Sequence, residues 1–341
     1  MARMNRVSAL IDSRELDEAR ERFTDLQSGF GGHPMVRFLN GRLAYASGDY
    51  ALAESELREY LADIPNDIRG YALLGAVNFS QNHLRQAESY LSQAVRNNVG
   101  GNATARLLAE TRLRLNKPAE ALNALGQPGA DGADPSLLVM YGRAQLGLGN
   151  TAAALEFFEQ GAAAGSSSTA VGLSIAAGFF AAGENDRAIE VLESIQDHDD
   201  AAYRREALLI AAHIREGNTA EALRVGGDLL KANPEDPAAY ALVGVLQQSL
   251  GDFVAARTAL ERAVELDPAH QAGLYALSRL EIIEGNTVAA ERQLVTLLDA
   301  SPGFMPGLVT LAGINLRNDQ LADLVPRIDA AIAADDSALA P

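Results

Sequence analysis

Residues Pro237 to His270 read PAAYALVGVLQQSLGDFVAARTALERAVELDPAH. Before Gly251-Asp252 the residues Tyr240, Val243 and Gly244 recur at three- and four-residue steps, and after it Ala256, Leu260 and Ala263 do the same. That step places each set on one helix face, so two amphipathic helices flank a short turn. Glycine takes the left-handed conformation that ends the first helix, Asp252 can cap the second, and Pro268 stops it.

The same marks recur along the chain. Ala256 belongs to a series Ala19, Ala53, Ala87, Ala121, Ala154, Ala188, Ala222, Ala256 and Ala290, spaced by 34 residues with a single spacing of 33. Four residues later, one turn along the same face, stand Phe23, Leu57, Leu91, Leu125, Phe158, Leu192, Gly226, Leu260 and Leu294, in which only Gly226 departs from a large apolar residue. Twelve residues before each alanine is a position that is often small, held by Gly41, Gly75, Ala109, Gly142, Ala176, Ile210, Gly244 and Ser278, with Ala312 one period later. The turn recurs at Gly48-Asp49, Gly149-Asn150, Gly217-Asn218 and Gly285-Asn286, and the helix-stopping proline at Pro65, Pro234 and Pro302. A period in this range is the mark of a solenoid of stacked helix pairs.

These residues resemble the tetratricopeptide repeat family. Tyr240, Val243, Gly244, Ala256, Leu260, Ala263 and Pro268 stand on its signature positions, although the family's tryptophan is absent and tyrosine replaces it at Tyr71 and Tyr240. The resemblance implies an all-α, right-handed superhelical solenoid of about ten antiparallel helix pairs. Its units are expected over 1–33, 34–67, 68–101, 102–134, 135–168, 169–202, 203–236, 237–270, 271–304 and 305–338 of one array. The turn-rich stretch 126–135 carries the one-residue deletion and is expected to be a loop variant or a hinge, and Gly165-Ser166-Ser167-Ser168-Thr169 is a weaker soft spot. The ending Ala338-Leu339-Ala340-Pro341 reads as the opening of another repeat, which suggests a piece of a longer repeat protein.

Composition narrows the function. Acidic residues outnumber basic ones 45 to 28, a formal charge of -17, which disfavours nucleic acid as a partner. The absence of cysteine removes disulfides, thiolate nucleophiles and thiolate metal sites from consideration. The residues His33, His83, His198, His213 and His270 never fall at metal-ligand spacing, so no metal is expected. Gly147-Leu148-Gly149-Asn150-Thr151-Ala152 has dinucleotide-binding spacing, but it joins two helices where a phosphate cradle needs a strand before the loop. No catalytic residue and no cofactor is expected, and the protein reads as a binding scaffold, since a solenoid offers a long open groove.

In the family, the second, fifth, ninth and twelfth residues of each unit's first helix face that groove. Here those positions supply Phe38, Arg42, Tyr45, Arg69, Phe79, Arg106, Arg143, Phe180, Arg204, Tyr275 and Arg279. Arginine forks hold carboxylates and aromatic faces stack on peptide side chains or sugar rings, so the expected partner is an acidic peptide or an anionic polysaccharide. The lysine-bearing groove of adaptors that clamp chaperone tails is missing, because Lys117 and Lys231 are the only lysines and neither is on a first helix. A cytoplasmic adaptor or co-chaperone that binds peptide segments is the alternative.

Three stretches, Asn102–Leu125, Gly244–Pro268 and Leu274–Leu298, are similar to the repeat-containing lipoprotein of the PEP-CTERM/exosortase system. That resemblance implies a periplasmic or cell-envelope scaffold in bacterial exopolysaccharide export or protein sorting. Membrane attachment would then run only through parts absent from this chain, since it has neither the lipid-bearing cysteine nor a visible signal peptide.

Overall fold

The computed structural model describes residues 2–126, 134–165, 168–195, 202–318 and 321–336. Among them every regular element is helical and none is a strand. The chain divides into two compact units, Met1–Ala164 and Gly165–Pro341. The first holds α1 (Ala2–Asp12), α2 (Leu16–Phe30), α3 (Pro34–Ala46), α4 (Tyr50–Asp63), α5 (Ile68–Ser80), α6 (Leu84–Arg96), α7 (Gly101–Arg114), α8 (Pro118–Leu125), α9 (Pro135–Gly147) and α10 (Thr151–Ala164). The second holds α11 (Thr169–Ala182), α12 (Asn185–Ser194), α13 (Ala202–Arg215), α14 (Thr219–Ala232), α15 (Pro237–Ser249), α16 (Phe253–Leu266), α17 (Gln271–Ile283), α18 (Thr287–Ala300), α19 (Met305–Arg317) and, after a 3-10 turn, α20 (Val325–Asp336). The expected hinge over 126–135 falls mostly on 127–133, and the terminal Ala338–Pro341 on 337–341; both lie outside the described residues.

Each pair is built by the devices that its sequence supplies. The residue between the two helices has a left-handed backbone at Arg14, Gly48, Asn82, Asn116, Gly149, Gly183, Gly217, Gly251 and Gly285. Asp49 and Asp252 then accept hydrogen bonds from the Leu52 and Ala255 amides, both at 3.0 Å, and cap the helix that follows. The helices α4, α14, α16 and α18 each end two residues before Pro65, Pro234, Pro268 and Pro302. The next pair starts on a cap again: Asp67, Asp134 and Asp236 accept from the Arg69, Ser136 and Ala238 amides, and His33 and His270 do so through Nδ1. His33 and His270 therefore cap helices through their side chains.

The core is a chain of small-into-large contacts. A Cβ added at Gly41 would lie 2.8 Å from Leu57 Cγ, at Gly75 2.7 Å from Leu91 Cγ, and at Gly142 2.5 Å from Phe158 Cε1. In these pairs the position twelve before the alanine and the one four after it thus touch, and the alanines Ala19, Ala53, Ala87, Ala121, Ala154, Ala188, Ala222, Ala256 and Ala290 are all fully buried.

Candidate functional site

Within each unit the first helix of a pair touches the first helix of the next: α1 with α3, α3 with α5, α5 with α7 and α7 with α9, then α11 with α13, α13 with α15 and α15 with α17. Second helices make no comparable contact with one another, so the first helices line the tighter, inner side of each unit. Ninth residues of successive first helices meet directly. Arg42 Nη1 donates to Ser8 Oγ at 2.6 Å, and Arg143 Nη1 donates to Glu110 Oε2 at 2.6 Å.

In the first unit this inner face neutralises itself. Arg42 also pairs with Asp12 at 2.5 Å, and Arg106 pairs with Asp134, the cap of α9. Burial opposes ionisation of Asp134, but the Arg106 guanidinium and the Ser136 amide hold its carboxyl below the usual range. Arg69 pairs with Asp67 at 2.5 Å and lies 5.5 Å from the Phe38 ring centroid. Its hydrogen bond, more than the burial that opposes it, holds the Asp67 carboxyl near 2. Burial first, and then the neighbouring Asp67, push the Tyr60 hydroxyl that donates to Asp67 up to about 12.

The expected aromatics divide in the same way. Phe38 is buried, its ring 5.0 Å from that of Tyr60, and is a core residue. Tyr45 lies 5.9 Å from Tyr50, and Tyr275 meets Phe304 edge-on at 5.3 Å. Phe79 carries Arg114 over its face at 4.5 Å and Phe180 carries Arg215 at 3.8 Å, so in both an arginine already covers the ring.

The inner face of the second unit differs. Its ninth positions are Ala177, Ala211, Val245, Arg279 and Gly313, with no acid to meet the arginine. Arg204 and Arg279 are exposed and form no ion pair with a described residue, while Val245, Val309 and Leu316 on the same face are exposed, the last two by 64% and 63%. Of the arginines expected to bind a partner, Arg204 and Arg279 thus have no ion pair with a described residue.

Other arginines join successive pairs through contacts that the repeat register does not indicate. Arg257 on α16 bridges Glu281 on α17 and Glu284 at its C-terminal cap, and Glu88 on α6 holds Arg112 at 3.3 Å and Lys117 at 2.6 Å. Their partners lie 24 to 29 residues away, on elements whose meeting only the packing settles. Arg14, Asn82 and Asn116, one period before and one and two periods after Gly48, take the same left-handed turn without a glycine to mark it in the sequence.

Among the described residues, no group of three or more histidine or carboxylate side chains is arranged to hold a metal ion. The Gly147–Ala152 segment joins α9 to α10 with no strand before it. No described helix is long and apolar enough to cross a membrane.

Models of the tetratricopeptide repeat match residues 4–68 and 244–303, residues 179–246, and residues 135–160. No curated protein matches the sequence. Among solved structures, a tetratricopeptide repeat protein from Parabacteroides merdae superposes with a TM-score of 0.54 at 16% identity, over 75% of this chain and 98% of that one. Cut9-Hcn1 of the APC/C (TM-score 0.35, 14% identity, 88% of this chain and 72% of that one) and MamA (0.37, 17%, 48% and 95%) are more distant in shape.

Proposed function

This chain belongs to the tetratricopeptide repeat family and is a protein-interaction scaffold, and from that premise we propose that it binds an extended acidic peptide along the inner face of its second unit. The observation that carries the reading is the contrast between the two inner faces. Arg42, Arg69, Arg106 and Arg143 are already satisfied by Asp12, Asp67, Asp134 and Glu110. Arg204 and Arg279 form no ion pair with a described residue, and they flank the exposed apolar residue Val245 in the order of the repeats. Open guanidinium forks take carboxylates, and the apolar residues between them take the peptide's own apolar side chains. We further propose that the scaffold is non-catalytic.

A fluorescently labelled peptide with alternating glutamate and leucine, titrated by anisotropy, tests this. The expected result is saturable binding that weakens with salt and is lost in the Arg204→Ala/Arg279→Ala variant. Equal binding by that variant would place the partner elsewhere; preference for an anionic polysaccharide over the peptide would replace the ligand class.

For the cellular setting we propose the bacterial envelope, in exopolysaccharide export or exosortase-linked sorting. Support comes from the similarity of Asn102–Leu125, Gly244–Pro268 and Leu274–Leu298 to the repeat lipoprotein of that system. Genes for glycosyltransferases and an exosortase beside this one are the expected outcome, and chaperone genes there would favour a cytoplasmic adaptor.

A further inference from the structure

A second site lies away from the inner-face positions, in a cleft of about 440 Å³ between α13 and α14. Its lining reaches Glu193 on α12, a ten-residue helix that ends at Ser194, a full turn shorter than the fourteen-residue second helices α10, α14, α16 and α18. Glu193 stands at that end. Leu209, Val225, Leu229 and Ala232 form apolar walls, and Arg205, Glu206, His213, Arg224 and Asp228 supply the polar lining.

The cations of this lining are committed. Arg205 donates through Nε to the Leu192 carbonyl at 2.8 Å and through Nη1 to Glu206 Oε1 at 2.7 Å. Arg224 is held by Glu221 at 2.7 Å and by Asp228 at 3.2 Å, and Asp228 also takes Lys231 at 3.0 Å. Two polar atoms of the cleft remain without a protein partner: Oε2 of Glu206 and Nδ1 of His213, whose residue is only 6% exposed. A carboxylate oxygen can only accept, and the Nδ1 of a neutral imidazole accepts when its proton is on Nε2. Counting Glu193, Glu206 and Asp228 against Arg205 and Arg224, the lining carries one more negative charge than positive.

Unmet acceptors, a surplus negative charge and an apolar shaft describe a receptor for a cation on a short alkyl stem. An anion would be repelled by the unpartnered, buried Glu206 carboxylate oxygen, and each guanidinium group already faces a carboxylate of the protein. We propose that the α13–α14 cleft binds a primary alkylammonium group, delivered as a lysine side chain of a partner protein, with its methylenes along Leu209, Val225 and Leu229 and its ammonium donating to Glu206. Delivery of the lysine by a partner protein rests on the scaffold function proposed above; the chemistry of the cleft does not.

The test uses the full chain and the probe N-acetyl-lysine N-methylamide, followed by NMR at the His213 ring and the Leu209 and Val225 methyls. Saturable shifts are expected for that probe and none for pentanoate, which has the stem but the opposite charge. Glu206→Gln, with an unchanged circular dichroism spectrum, should weaken binding by roughly tenfold or more, because it removes a charge-assisted hydrogen bond. Glu193→Gln, at the exposed rim, should weaken it less and is the variant to rely on if Glu206→Gln does not fold. Pentylamine binding more tightly than the lysine amide would assign the cleft to a free small amine and overturn the lysine assignment. Shifts with pentanoate, or full affinity in Glu206→Gln, would overturn the proposal. Binding of the acidic peptide should be the same in Glu206→Gln as in the wild type, so failure here leaves the inner-face reading standing.

Discussion

A Cβ placed on Gly244 would lie 2.5 Å from Leu260 Cγ, so α15 and α16 cross with glycine backbone against leucine side chain. The residues sixteen apart in the other pairs keep that order of small then large, except that Ile210 and Gly226 reverse it. Ile210 is buried in the same core cluster as Val225 and Leu246, and Leu246 covers the face that Gly226 leaves open, at 3.0 Å from its notional Cβ.

The reversal predicts coupling. Ile210→Gly alone should cost about 2–5 kcal/mol by leaving a cavity. Gly226→Leu alone should cost about 1–3 kcal/mol by overpacking against Leu246 and Val243. Combined, they restore the usual arrangement, and urea unfolding should show a loss smaller than the sum by roughly 1 kcal/mol or more. Strict additivity would mean that the two positions are not exchanging volume. Gly244→Val, with no partner to compensate, should destabilise by about 1–3 kcal/mol.

The turn between paired helices needs a left-handed residue, which costs an ordinary L-residue about 1–2 kcal/mol. Gly251, at φ +81°, should therefore lose about 1 kcal/mol or more on replacement by alanine. Arg14 bears that strain in the native protein at φ 62°. Arg14→Gly should raise the melting temperature, although the greater freedom of glycine in the unfolded chain offsets part of the gain. A lowered melting temperature would show that the Arg14 side chain contributes more than its backbone costs.

Paired and open arginines should respond differently. Replacing Arg42, Arg106 and Arg143 together by alanine removes contacts to Ser8, Asp12, Asp134 and Glu110, and should lower stability by about 0.5–1 kcal/mol for each pair while leaving acidic-peptide affinity nearly intact. Arg204→Ala/Arg279→Ala should leave stability unchanged and reduce affinity at low salt. Calorimetric unfolding beside peptide titration separates the two, and the opposite pattern would assign recognition to the first unit.

The Asp67–Arg69–Tyr60 cluster gives a pH signature. The folded carboxyl of Asp67 is held near 2, against an ordinary value of 3.8, so the unfolded chain binds its proton first as pH falls. The stability it contributes is complete above about pH 4 and is lost as pH drops through 2. Asp67→Asn should thus be less stable than the wild type at neutral pH, with the gap closing between pH 4 and 2. A gap independent of pH would mean that the cap's hydrogen bonds, rather than its charge, stabilise α5.

The repeat was legible in the sequence because each of its marks is a local physical requirement. Only a small residue fits under Leu57 or Leu260, glycine or asparagine relaxes the left-handed turn, and proline two residues past α4, α14, α16 and α18 cannot continue a helix. The same register placed Arg42, Arg143 and Arg279 alike on ninth positions, and it could say no more than that about their use. Whether a guanidinium is paired depends on which acid the neighbouring first helix brings within 3 Å or so: Asp12 for Arg42 and Glu110 for Arg143, but alanine, valine and glycine at the ninth positions around Arg279. The cleft beside His213 was equally invisible, because it lies where α13 and α14 pack and leaves two single atoms, Glu206 Oε2 and His213 Nδ1, without partners. Sequence determined the repeat, its turns and the helix faces, which depend on neighbours within one unit; pairing and pockets were decided by tertiary structure, because they depend on residues 24 to 34 positions away meeting in space.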